Sequence, residues 1–158
     1  MFTVQDGAIL IASCFTASSG ARNNIVFQGR QFGTLDWQDI NFGAVAGGTH
    51  ISLQDTASGS CTGPYMIGNN AAVHVSATHS NLRLNCAISV PYPLAFTAFM
   101  QLMDKAIAYA GAATFSGPGA GSATIGTKYQ VSDSTLNLGA TLFPGNEIEA
   151  PTYGGVIK

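Results

Sequence analysis

Charge is the scarcest property of this chain. Charged side chains make up 9% of its 158 residues, against about 25% in an ordinary domain. The net charge is −2, so no basic field invites nucleic acid as a partner. Long apolar runs are also missing. None approaches the roughly 20 residues of a membrane-crossing helix, and no membrane partner is expected. Met1 to Gly7 holds no Lys or Arg, and Asp6 stands ahead of a short apolar run, which argues against a secretion signal. Ile11-Ala12-Ser13-Cys14 has the outline of a lipoprotein cleavage box but no basic region before it, so it reads as buried strand. Cys14, Cys61 and Cys86 show no C-x-x-C spacing, which removes the zinc and redox motifs. No cofactor is expected.

What replaces charge is hydroxyl, amide and glycine. Thirteen serines and fourteen threonines outnumber the six basic plus eight acidic side chains, and glycine contributes 19. Such a surface does not repel copies of itself, which points to a protein packed in an assembly. The length suits one domain with a real core.

Short alternating runs recur between glycine turns. Residues 8–15, 24–28, 36–42 and 81–90 read as strands. Thr49-His50-Ile51-Ser52-Leu53 is repeated as Val73-His74-Val75-Ser76-Ala77, with the histidines 24 residues apart. A period of that size fits one β-helix coil and would stack His50 on His74 and Ile51 on Val75. Leu94 to Ala113 suits a helix or strands by composition and spacing. Thr127 to Ser132 and Thr135 to Leu138 read as a half-buried strand pair, preceded by the turn Gly117-Pro118-Gly119-Ala120-Gly121 and closed by Phe143-Pro144-Gly145-Asn146.

That last region, from Thr114 to Asn146, with the terminal glycine pair, resembles the C-terminal end of right-handed parallel β-helix proteins of phages and prophages, especially of alphaproteobacterial hosts. The likeness is closest over residues 112–158. It continues loosely through residues 37–43 and 49–51. The chain departs from that family in its Gly-Pro-Gly-Ala-Gly spacer and in lacking a long upstream region. The resemblance favours strands over residues 94–113. It implies an all-β fold: a short right-handed parallel β-helix of one domain, with coils over 1–113 and a C-terminal strand cap and tail over 114–158. It also implies a homotrimer.

The chemistry-bearing residues are few. Strict alternation puts Asp36 and Asp39 on opposite faces of a strand, where they would not flank a glycosidic bond as acid and base. Glu147 and Glu149 share a face of an extended tail and read as solvated. His50, His74 and His79 could ligate a metal, but a hydrogen-bonded ladder or a surface pair is the favoured reading. The glycine-rich turn lacks the Lys-Ser/Thr of a phosphate loop, and no G-x-S-x-G elbow occurs. Three cysteines cannot all pair within one chain: in an intracellular protein they read as three buried or inert thiols, and on a particle released into an oxidising medium at least one could bridge to another chain. Cys61 lies in a Gly/Ser/Thr/Pro loop and is the best candidate for that bridge, whereas Cys14 and Cys86 sit in apolar runs and read as buried. Trp37, Tyr65 and Tyr92 are the candidates for contact with a glycan or partner, or for packing.

The expectation is therefore a non-enzymatic structural protein on the virion surface, of the minor capsid, decoration or collar kind. Its partners would be its own copies, other virion proteins such as the major capsid protein, and a host surface glycan. The alternative is a tail-fibre or tailspike module that recognises the bacterial host. A glycan-degrading spike is a weaker third. A chain consisting of this module alone fits a knob on a shell better than a distal tip.

Overall fold

The computed structural model describes residues 1–20 and 24–158. It is a β-solenoid of about six turns, with no α-helix among the described residues. The strands are β1 (Phe2–Val4), β2 (Ile9–Ser19), β3 (Ile25–Gly29), β4 (Thr34–Val45), β5 (Thr49–Leu53), β6 (Ser58–Cys61), β7 (Tyr65–Ile67) and β8 (Val73–Thr78). They continue with β9 (Asn81–Leu84), β10 (Ala87–Ser89), β11 (Ala95–Met103), β12 (Ile107–Tyr109), β13 (Thr114–Ser116), β14 (Ile125–Val131), β15 (Thr135–Asn137) and β16 (Val156–Ile157). A single turn of 3₁₀ helix at Gly121–Ala123 interrupts them.

Each coil gives one strand to a first sheet, ordered β1-β3-β5-β8-β11-β14. The remainder of each coil forms a second sheet that bends around a corner. β4 shows the bend. Its Thr34–Trp37 half pairs with β6, and its Asn41–Phe42 part pairs with β7. All of these pairings are parallel, so like positions stack from coil to coil. Phe27, Ile51, Val75, Met100 and Tyr129 form one column. Successive members lie 24 or 25 residues apart until the last step of 29, where the Gly117–Gly121 spacer adds length.

Two kinds of corner make the coil possible. Cys14 and Asp39 adopt φ of 63° and 50° in mid-strand. In β4 the corner leaves Gln38 and Asp39 outside the core while Trp37 and Ile40 stay buried. The other corner joins the two sheets. It places Asp6-Gly7, Gln31-Phe32, Asp55-Thr56, His79, Asp104-Lys105, Asp133 and Tyr153-Gly154 in the left-handed region. Asp is among the non-glycine residues that tolerate this conformation best. Backbone bonds link these turns along the axis, from Phe32 N to Asp55 O, Thr56 N to His79 O and Lys105 N to Asp133 O.

Several local readings change. Residues 94–113 form β11 and β12, because cross-coil pairing with β8 and β9 outweighs a modest helix propensity. The strand pair expected at 127–138 does not pair with itself. Asp133, at φ 45°, sends the chain around the corner, so β14 joins β11 and β15 joins β12. The winding runs through residue 114 without a break, since β13 pairs with β10. The tail continues as a partial coil, bridging Thr127 to Glu147 and Ser132 to Thr152 and laying β16 on β15.

The core is one continuous filling, and Leu35, Trp37, Phe42, Ile51, Leu53, Ile67 and Leu82 are fully buried in it. Glycine matters where a coil must clear it. A Cβ at Gly59 would lie 2.5 Å from Leu53 Cδ1. Leu53→Ala is expected to cost about 2–5 kcal/mol, read as a lower urea midpoint at unchanged slope, whereas Thr34→Ala on the outer face should stay within about 0.5 kcal/mol.

Candidate functional site

Among the described residues, one cluster of titratable side chains lies inside the solenoid and joins β5, β7 and β8. His50 Nδ1 lies 2.9 Å from His74 Nδ1. His50 Nε2 is 2.8 Å from the Gly43 carbonyl, and Tyr65 Oη is 2.9 Å from His74 Nε2. The carbonyl fixes every proton. It can only accept, so His50 Nε2 carries the hydrogen and His50 Nδ1 accepts. His74 Nδ1 must then donate, its Nε2 accepts, and Tyr65 donates the last bond. Three neutral groups thus form a single directed chain.

The surroundings keep it neutral. Phe42 packs on both imidazoles, at ring distances of 5.2 and 5.4 Å, and Phe99 lies 4.9 Å from His74. Burial pushes His50 down to about 4, partly opposed by its bond to Gly43. His74 is pushed well below the ordinary imidazole range by burial and then by His50 beside it. Burial raises the Tyr65 hydroxyl. The 24-residue histidine repeat is therefore a buried hydrogen-bonded stack, in line with the favoured reading. His79 stands apart, at an exposed turn with φ 48°. Among the described residues no group of three or more His, Cys, Asp or Glu converges as metal ligands would.

The cysteine reading needs correction. Cys61 and Cys86 are joined within the chain across a sequence separation of 25. That separation is one coil, so the two residues meet on successive turns at the bend in the second sheet. Neither is free to bridge to another chain as reduced thiols would. Cys61 is buried, contrary to its loop-like sequence, because Ser58–Cys61 is strand β6. Cys14 reads as buried from its apolar neighbours, yet it is the free and exposed thiol. Its left-handed φ turns it out of the alternation.

The aromatic candidates also divide. Trp37 and Tyr65 are in the core, at 0% and 4% exposure, packed edge to face at 6.2 Å. They cannot contact a glycan, since both point into the filling of the coil. Tyr92 is 61% exposed, between Pro91 and Pro93. The left-handed corner at Asp39 changes the carboxylate geometry as well. Asp36 and Asp39 both lie outside the core instead of on opposite faces. On the outer side of the first sheet an amide ladder runs to the tail. Gln101 donates to Gln130 (2.6 Å), and Gln130 donates to Glu149 (2.7 Å).

Among the surface grooves of the described residues, four stand out. The largest, about 550 Å³, is lined by Val45, Asn69, Asn70, Ala72, Phe96 and their neighbours and contains no titratable side chain. The other three hold one carboxylate each: Glu149, Asp39 and Asp133. No protein family, curated protein or solved structure matches this chain.

Two measurements test the interior. His50 and His74 titrate near 6.5 when unfolded and lower when folded, so the unfolded chain binds more protons as pH falls. Stability should be complete above about pH 6.5 and decline as pH falls towards the folded value of about 4. Each imidazole contributes a slope of up to about 1.4 kcal/mol per pH unit, read from urea midpoints across that window. Cys61→Ser with Cys86→Ser should cost about 3.5 kcal/mol, the loop entropy of a 25-residue closure, read from the same midpoints at pH 7.5.

Proposed function

We propose that this chain is a structural protein on the surface of a bacteriophage particle, packing against its own copies and against the shell protein beneath. The observation that carries the reading is the outer face made by β2, β6, β9, β12, β15, β16 and the first half of β4. One column along it holds Ile9, Thr34, Ser58, Asn81, Ile107, Thr135 and Val156. The next holds Ile11, Asp36, Ser60, Arg83, Tyr109 and Asn137. These two columns contain one acid and one base. They expose Ile9, Ile11, Tyr109 and Val156 by 67, 70, 45 and 41%. Apolar side chains set among hydroxyls and amides suit a surface that is covered by a neighbour.

Three further features support it. The coils are tied by a disulfide, which persists in an oxidising medium outside a cell. Each of the four grooves described above is lined by at most one carboxylate, which is in keeping with a non-enzymatic reading. Parallel crossovers wind in the right-handed sense, and three right-handed solenoids packed through this face would give the homotrimer that the resemblance implies.

The test is the composition of the particle. Gradient-purified particles from the bacterial host that carries the gene are expected to contain the chain at a copy number comparable with the major capsid protein, counted by quantitative peptide mass spectrometry. A handful of copies per particle would move the chain to the tail-fibre or tailspike reading, with Tyr92 as the exposed aromatic for a host glycan. Its absence from the particles would overturn both.

A further inference from the structure

The two ends of the solenoid differ in how they treat their strand edges. At the C-terminal end the edge is broken up. β14 and the following Ser132 are met by isolated bridges from Glu147 and Thr152 respectively, β16 has two residues, and Pro144 and Pro151 interrupt the tail. At the N-terminal end β2 runs for 11 residues and, among the described residues, pairs on one side only, with β4. It contains no charge and no proline, and no proline precedes Pro64. Natural edges carry charge, proline or irregularity to prevent pairing. This one carries neither charge nor proline; its irregularities are the left-handed Cys14 and a register shift against β4 between Ala17 and Ser19.

From this edge we infer a second copy of the chain as its occupant, docked end to end about a two-fold axis. A head-to-tail arrangement is disfavoured because the C-terminal end offers no comparable edge. A two-fold needs an edge that complements itself, and β2 does. Leu10, Ala12, Phe15 and Ala17 turn to the core, whereas Ile9, Ile11, Ser13, Cys14, Thr16 and Ser18 are exposed. The facing pattern is thus a mirror about the point between Ser13 and Cys14, created by the left-handed corner at Cys14 (φ 63°). Directly opposed residues of an antiparallel pair share a face, and a slip of one residue would reverse it. The facing therefore fixes one register. Ala12 opposes the partner's Phe15, Leu10 opposes the partner's Ala17, and Ser13 opposes the partner's Cys14.

β1 obeys the same symmetry. Val4 is buried, Thr3 is exposed, and Phe2 is 49% exposed while packing on Phe15 and Phe27 at 5.6 and 5.4 Å. Antiparallel pairing about Thr3 sets Phe2 against the partner's Val4 and closes the open end of the aromatic stack. The absence of charge on β2 removes the like-charge repulsion that a two-fold contact would otherwise create. The side faces remain free, so this contact is compatible with threefold packing and independent of it. It predicts an even number of copies.

Native mass spectrometry on the Cys14→Ser chain, which retains its internal disulfide and no free thiol, tests the contact directly. Two or six copies are expected. Ser13→Asp, at an exposed position, adds two carboxylates beside the axis and should halve that mass while leaving the circular-dichroism melt of the coil in place. On the unaltered chain a short bismaleimide should join two copies through Cys14, which lies one residue off its mate across the pair, about 6 Å away between Cα atoms. A Cys14→Ser chain found as one or three copies at micromolar concentration overturns the proposal. So does a mass that Ser13→Asp leaves unchanged, even where the maleimide product forms.

Discussion

Every feature of this protein depends on parallel stacking in register. A parallel ladder brings position i over position i plus one coil. A side chain is therefore surrounded by its own equivalents more than by its sequence neighbours. That constraint explains how a chain so poor in charge stays folded. Apolar columns such as Phe27 to Tyr129 fill the interior, and on the outside an amide ladder runs from Gln101 through Gln130 to Glu149. It also explains why His50 and His74 tolerate full burial. Each is the hydrogen-bond partner that the other needs, and Gly43 and Tyr65 terminate the chain at both ends.

The stacking was legible in the sequence wherever residue identity repeats. The 24-residue interval between Thr49–Leu53 and Val73–Ala77 gives the coil length, and the register Ile51 on Val75 follows it. The same interval, extended by one, separates Cys61 from Cys86. That signal was present, but the Gly/Ser/Thr setting of Cys61 masked it. In a solenoid small polar residues are ordinary strand positions, because the outer face needs no bulk.

The corners were not legible, and most of the remaining differences trace to them. Left-handed residues recur at Asp6, Gln31, Asp55, His79, Asp104 and Asp133. The recurrence is conformational, and its chemistry varies from carboxylate to amide to imidazole. A reading based on identity passes over it. Each corner shifts the inside–outside phase of the strand it interrupts. Strict alternation therefore fails at Cys14, which emerges, and at Asp39, which joins Asp36 on the outer side. Trp37 and Tyr65 fall inside for a related reason, as the bend in the second sheet folds both halves of β4 and its neighbour β7 around one core.

The bridge between Cys61 and Cys86 has a mechanical meaning. Hydrogen bonds in a solenoid lie along its axis, so tension between the two ends peels coils away one after another, from the outside inward. A chain without a bridge would surrender its full contour length. Here the 25-residue span between the two sulfurs is withheld, roughly 80–90 Å of extended chain. A molecule stretched on a surface would therefore yield its outer turns and stop at a shortened remnant. However many coils opened on either side, the span inside the bridge would not lengthen while the bridge stayed intact.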